Sequence, residues 1–125
     1  MMLLLYIALG SAVGGVSRYL LGELIQRWAG GTFPLHTLII NVTGSFLLGF
    51  LYRYGVDSNV MSQEVRAMLT VGLCGGYTTF SAFSLETVRL LDGGESGKAM
   101  AYVLLSVVVS VGAAFVGMAA GSRMR

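Results

Sequence analysis

Long apolar stretches alternate along the chain with short polar or turn-forming ones, and each stretch is close to the length a helix needs to cross a bilayer. About 20 residues of helix cover a hydrocarbon core of about 30 Å, and four windows fit. The first runs from about Met2 to Gly22 and ends at Glu23, Gln26, Arg27 and Trp28, with the turn signal Gly30-Gly31-Thr32-Phe33-Pro34 closing it. The second runs from about Thr37 to Tyr54, with Tyr52 and Tyr54 as interfacial anchors. The polar patch Asp57-Ser58-Asn59 separates it from a third segment, about Gln63 to Leu91, and Asp92-Gly93-Gly94-Glu95 precedes a fourth, about Lys98 to Gly121. The pattern predicts an all-α membrane protein, one domain over residues 1–125 with four transmembrane helices.

The third segment is expected to be broken at its centre. Gly75-Gly76-Tyr77-Thr78-Thr79 puts two adjacent glycines and two hydroxyl residues at membrane depth, where an interrupted backbone must line protein or a wet cavity. The Met1 to Ala12 stretch lacks the basic start of a signal peptide and stays apolar to Leu21, so a retained first helix is expected.

Composition narrows the classes. With 55% hydrophobic and only 11% charged residues, a chain of 125 residues carries more apolar surface than a small water-soluble core can hide. The eight Lys and Arg are scattered singly and the net charge is +2, so nucleic acid is not an expected partner; membrane lipid is. Cys74 is the only cysteine, which leaves no CxxC pair, and it reads as a small buried apolar side chain. One His, one Cys and no paired acids give no catalytic set, so no enzyme is expected.

Basic residues are nearly balanced between the two sides. Arg53, Arg66, Arg123 and Arg125 fall on the side of the termini, and Arg27, Arg89 and Lys98 on the other. Four against three is a weak orienting signal. A chain that inserts both ways can build an antiparallel, dual-topology homodimer, and four short helices leave little room for a wet pathway within one copy.

Several polar positions stand out against this background. Asn41, near the middle of the second helix, needs a hydrogen-bond partner; an interhelical bond and a donor lining an anion pathway both satisfy that need. Phe80 and Phe83, at i, i+3, sit among Thr78, Thr79, Ser81 and Ser84. They read either as ordinary lipid-facing or core residues, or as rings whose positive edges hold a small anion beside hydroxyl donors, without the full charge that would slow release. Tyr102, Ser106 and Ser110, at i, i+4, i+8, form one polar stripe on an apolar helix. Small residues four apart (Ser11 and Gly15, Ser45 and Gly49, Ala113, Gly117 and Gly121) read as helix-packing positions. Arg18 reads as a snorkelling side chain, His36 as an interfacial one, and Glu86 as paired with a base or standing at a vestibule.

The run Gly72-Leu73-Cys74-Gly75-Gly76-Tyr77-Thr78-Thr79-Phe80-Ser81-Ala82-Phe83-Ser84-Leu85-Glu86 resembles the signature of the CrcB, or Fluc, family of fluoride channels. Gly14-Gly15-Val16-Ser17-Arg18-Tyr19, Thr37 to Gly44 and the serine stripe agree with it. The resemblance implies a passive, fluoride-selective channel of the bacterial plasma or inner membrane, built as an antiparallel homodimer with two pathways and a central structural sodium ion. Asn41, Phe80, Phe83, Tyr102, Ser106 and Ser110, with Thr79 and Ser81, would line each pathway, and the backbone carbonyls of Gly75 and Thr78 would hold the sodium. Ala82 stands where a hydroxyl residue is expected between the two phenylalanines. The alternative is a small dual-topology multidrug-type transporter, but such exporters carry a glutamate near the middle of helix one, and here Glu23 lies beyond its expected end. A scaffold protein would leave Asn41 and the phenylalanine pair without a role.

Overall fold

The computed structural model of the chain describes residues 1–56 and 59–124. Asp57 and Ser58, assigned to a loop, and Arg125, counted with the terminal charges, lie outside the described residues. The described chain is helical: α1 (Met2–Ala29), α2 (Leu35–Leu51) with a wider-wound π-helical end (Tyr52–Val56), α3 (Gln63–Ala67), a π-helical stretch (Met68–Cys74), a single turn α4 (Gly75–Tyr77), α5 (Phe80–Asp92) and α6 (Ser96–Met124).

Among the described residues, three helices are long and apolar enough to cross a membrane: α1, α2 with its extension, and α6. The segment Gln63 to Asp92 is helical in pieces, interrupted at Thr78 and Thr79. Large apolar side chains such as Leu4, Val108, Phe115 and Val116 stand 60% exposed or more along the outer faces of α1 and α6. Such surfaces suit lipid or an apolar partner surface, not water.

Helix ends differ from the expected ones for simple reasons. Helix α1 runs past Gly22 to Ala29 because Glu23, Leu24, Gln26 and Arg27 are good helix formers whether or not lipid surrounds them. It stops at Gly30, whose φ of 60° suits glycine and whose N–H donates to the Gln26 carbonyl. Helix α6 begins at Ser96, two residues before the expected start, after a tight turn through Gly94 with φ 77°.

Glycines decide which helices approach closely. A Cβ on Gly10 or Gly14 would meet the backbone of Met68 and Leu73, and one on Gly76 would lie 2.7 Å from the Ser11 carbonyl oxygen, so α1 lies directly on the first half of the broken segment. Likewise Gly49 faces Ala114 and Gly117 faces Phe46, locking α2 onto α6. Gly15, expected to pack, has none of the described residues within 4 Å of its Cβ position; Gly14 is the packing residue. The small-residue pattern holds at Gly49, Gly117 and Gly121 and is one position out at Gly15 alone.

The break is also displaced. Gly75 is helical, at φ −63° and ψ −38°, and Gly76 lies in the α4 turn. The chain leaves the helix at Thr78 and Thr79, both extended, with φ −86°, ψ 160° and φ −152°, ψ 119°. β-Branched threonine favours that region. Of the two glycines, Gly76 serves the close contact with α1, against Ser11.

Candidate functional site

At the break every strong hydrogen-bonding group of Thr79 is used. Its N–H donates to Asn41 Oδ1 at 2.8 Å, Asn41 Nδ2 donates to its carbonyl at 3.1 Å, and its Oγ1 accepts the Ala82 N–H at 3.1 Å as the cap of α5. In a continuing helix the Thr79 and Ala82 N–H groups would donate to the carbonyls of Gly75 and Thr78. Both donors are diverted, so those two carbonyls lose their ladder partners. The Gly76 carbonyl instead accepts from Arg18 Nε at 3.2 Å, so Arg18 caps the broken segment.

The two half-segments present opposite ends to the break. The half ending at Tyr77 offers carbonyl oxygens, suited to a hard cation. The half starting at Phe80 offers the unpaired N–H groups and positive dipole end of α5, suited to an anion.

Beside the break lies a cavity of about 330 Å³ lined by Asn41, Thr79, Phe80, Phe83, Ser106 and Ser110, and also by Ser45, Thr70, Gly75 and Thr78. Ser106 Oγ and Ser110 Oγ are buried there without a hydrogen-bond partner among the described residues. A hydroxyl buried in that state costs about 1–3 kcal/mol, so the cavity is lined with donors that have nothing to donate to. The Asn41 amide keeps its second N–H beyond the bond to Thr79. The rings of Phe80 and Phe83 sit 5.5 Å apart, tilted by 44°, and Phe80 is 78% exposed. Among the described residues no charged side chain lines this cavity.

A second, larger cavity of about 590 Å³ opens toward the α1–α2 and α5–α6 turns and meets the first at Thr79, which lines both. It is charged: Arg18, Glu23, Glu86, Arg89, Glu95 and His36 line it. Glu86 is its centre. One carboxylate oxygen accepts from Thr37 Oγ1 at 2.9 Å and faces His36 Nε2 at 3.1 Å, and the other accepts the Tyr102 hydroxyl at 2.8 Å. At the rim Glu95 accepts from Thr32 at 2.7 Å and pairs with Lys98 at 3.1 Å; these bonds hold its carboxyl below the usual carboxylate range.

Six of the eight pathway positions expected from the sequence thus share one cavity. Tyr102 is fully buried against Phe83, with its hydroxyl on Glu86. Ser81 is exposed, 3.2 Å from the Thr79 hydroxyl. Neither Tyr102 nor Ser81 lines the cavity. Arg18, read as snorkelling, and His36, read as interfacial, are instead bonded to the break and to Glu86. Sequence reasoning missed Thr37 and Ser45, although a signal was there: Thr37, Asn41 and Ser45 repeat at i, i+4, i+8 on α2, the same spacing as Tyr102, Ser106 and Ser110 on α6. The first member of each stripe meets Glu86 and the later ones line the cavity.

The chain matches the family described as CrcB-like protein, Camphor Resistance (CrcB), over residues 5–118. Among its relatives, the fluoride-specific ion channel FluC of Nitrobacter winogradskyi is 48% identical over 114 residues, 91% of this chain and 90% of that protein. The FluC of Rhizobium meliloti is 46% identical over 116 residues, 93% of each chain, and one from Thermus thermophilus is 44% identical over 120, 96% of this chain and 95% of that one. The chain belongs to the CrcB family and is a multi-pass membrane protein.

Proposed function

We propose that this CrcB-family protein is a fluoride-selective channel that lets fluoride leave the cell passively, and that it works as an antiparallel, dual-topology homodimer of four-segment chains in the bacterial inner membrane. The single observation that carries the reading is the cavity at the break, where Ser106 and Ser110 are buried without partners among the described residues, beside the Phe80 and Phe83 rings and the Asn41 amide. A donor-rich, charge-free lining recovers part of a small anion's hydration energy and still lets it go. The relatives named fluoride-specific channels point to the same cargo.

In this reading fluoride enters the charged vestibule, passes Thr79, and is handed between the Phe83 and Phe80 ring edges and the Asn41, Ser106 and Ser110 donors. Each copy of the dimer contributes to one of two pathways, because the exposed Phe80 face needs a partner surface to close it. The Gly75 and Thr78 carbonyls, freed of their ladder donors, fit a hard cation, and two copies related by a two-fold axis supply four such oxygens. A sodium ion held there would neutralise facing carbonyl dipoles and tie the two broken segments together. The chain's own contribution is to keep those carbonyls free, by directing the Thr79 N–H to Asn41 and the Ala82 N–H to Thr79 Oγ1.

The test is fluoride efflux from liposomes holding the purified protein, read with an ion electrode and with chloride as control. Fluoride efflux well above protein-free liposomes, with chloride retained, is expected; equal rates for both ions would overturn selectivity. Labelling of single cysteines placed in the exposed turns should find each turn on both sides of the membrane, and one fixed orientation would rule out the antiparallel dimer.

A further inference from the structure

The polar stripes on α2 and α6 run in register. Thr37 and Tyr102 both donate to Glu86, and Gly49 faces Ala114, so the two helices are pinned side by side at two levels. The members of each pair lie 65 positions apart in sequence. Between these levels both chains are regular α-helix and climb about 1.5 Å per residue. Asn41 therefore stands level with Ser106, and Ser45 level with Ser110. Both pairs line the cavity of about 330 Å³, the second one turn further from Glu86, about 6 Å along the helices.

Ser45 differs from the threonines that share this cavity. A hydroxyl on an apolar helix commonly returns its hydrogen to the carbonyl four residues back. Thr70 does so to Arg66 at 2.6 Å and Thr78 to Cys74 at 3.0 Å, so neither keeps a hydrogen for a ligand. The half-buried Ser45 hydroxyl bonds to none of the described residues, and Ser110 Oγ is buried without a partner among them. Two unspent O–H donors, one from each helix, thus stand at one level of one cavity. We propose that Ser45 is a further fluoride-binding residue, and that Ser45 and Ser110 together form a two-hydroxyl anion station at the end of the cavity away from the vestibule. The inference rests on the channel reading above. Paired neutral donors replace part of the water around a small anion and, carrying no fixed charge, release it.

The test compares fluoride efflux from liposomes for the parent, the single variants Ser45→Ala, Ser106→Ala and Ser110→Ala, and the doubles that join Ser45→Ala to each of the other two. Melting temperature in detergent is measured on the same preparations. Ser45→Ala should melt at the parent temperature or above, because it removes no bond within the described chain, and its efflux should fall roughly threefold to tenfold, the loss of one hydrogen bond to the ion. Where two hydroxyls hold the ion at one point, both losses raise one barrier, so the Ser45→Ala/Ser110→Ala protein should slow by the product of the single factors. Losses at successive points act as resistances in series, so the Ser45→Ala/Ser106→Ala protein should run faster than its product. Parent-rate or faster efflux by Ser45→Ala, failed assembly or a lower melting temperature of that variant, a Ser45→Ala/Ser110→Ala slowing short of the product, or a Ser45→Ala/Ser106→Ala slowing that reaches it would each overturn the proposal. Absence of fluoride efflux from the parent protein would instead remove the channel reading on which it rests.

Discussion

Asn41 and Thr79, 38 positions apart in sequence, exchange two hydrogen bonds across the break: the Thr79 N–H donates to Oδ1 at 2.8 Å and Nδ2 returns one to the Thr79 carbonyl at 3.1 Å. A side-chain amide here replaces the peptide that a continuous helix would have supplied. The interhelical bond and the pathway donor are therefore compatible roles, because Nδ2 carries a second hydrogen.

That exchange predicts graded effects at Asn41. Asn41→Ala leaves both Thr79 backbone groups without their partner, at about 1–3 kcal/mol each, and should lower the thermal stability of the detergent-solubilised protein. Asn41→Asp keeps the acceptor for the Thr79 N–H but sets a carboxylate against the Thr79 carbonyl and the anion route. It should assemble, yet carry fluoride at least about tenfold more slowly. Parent-rate efflux by a well-assembled Asn41→Asp protein would remove Asn41 from the pathway.

The packing glycines predict a contrast between neighbours. Gly14→Ala drives a methyl group into the Leu73 carbonyl and should cost about 1–3 kcal/mol, seen as aggregation on size-exclusion chromatography or a lower melting temperature. Gly15→Ala has open space within 4 Å and should leave both unchanged. Equal behaviour of the two variants would mean that α1 does not lie on the broken segment in this register.

That register was the part of the fold that sequence could not supply. Apolar run length marked where the chain is hydrophobic enough to span, since lipid imposes that constraint residue by residue. Glycine has two uses, to bend and to admit a neighbour, and a sequence does not distinguish them: Gly75 and Gly76 read as the bend, but Gly76 admits α1, and Thr78 and Thr79 bend. The site was legible where polar residues repeat along one helix, as at Ser106 and Ser110. It was illegible where a partner comes from a distant segment, as for Glu86, whose donors Thr37 and Tyr102 lie 49 and 16 positions away.

Sodium removal tests the freed carbonyls. If Gly75 and Thr78 oxygens hold a shared ion, transfer of the liposomes to rigorously sodium-free medium should slow fluoride efflux, and sodium alone among monovalent cations should restore it. Full activity after exhaustive exchange would count against a structural cation.

The phenylalanines separate ring electrostatics from bulk. Phe80→Ile keeps an apolar side chain on an exposed position, so thermal stability should hold while efflux falls. Phe83→Ile also loses the ring contact with Tyr102, at 5.2 Å between centroids, and should cost about 0.5–1.5 kcal/mol as well. Unchanged efflux in both would show that the positive ring edge carries no part of the anion.

Ser106 and Ser110 give the sharpest separation of function from structure, because their hydroxyls contribute to transport in this reading and to no bond within the described chain. Both are buried without a partner among the described residues. Removing a satisfied buried hydroxyl destabilises a protein by about 1 kcal/mol, whereas removing an unsatisfied one relieves a desolvation penalty. Ser106→Ala and Ser110→Ala should therefore melt at the parent temperature or above it. Their fluoride efflux should drop, and the double variant should drop further, since two successive donors along one route are lost. A structural serine gives the reverse pairing, lower melting temperature with efflux intact in whatever protein survives. Measuring both quantities on the same preparations decides between them: alanine variants that lose stability and keep the parent rate would mean that the hydroxyls bond within the protein and that the anion passes elsewhere.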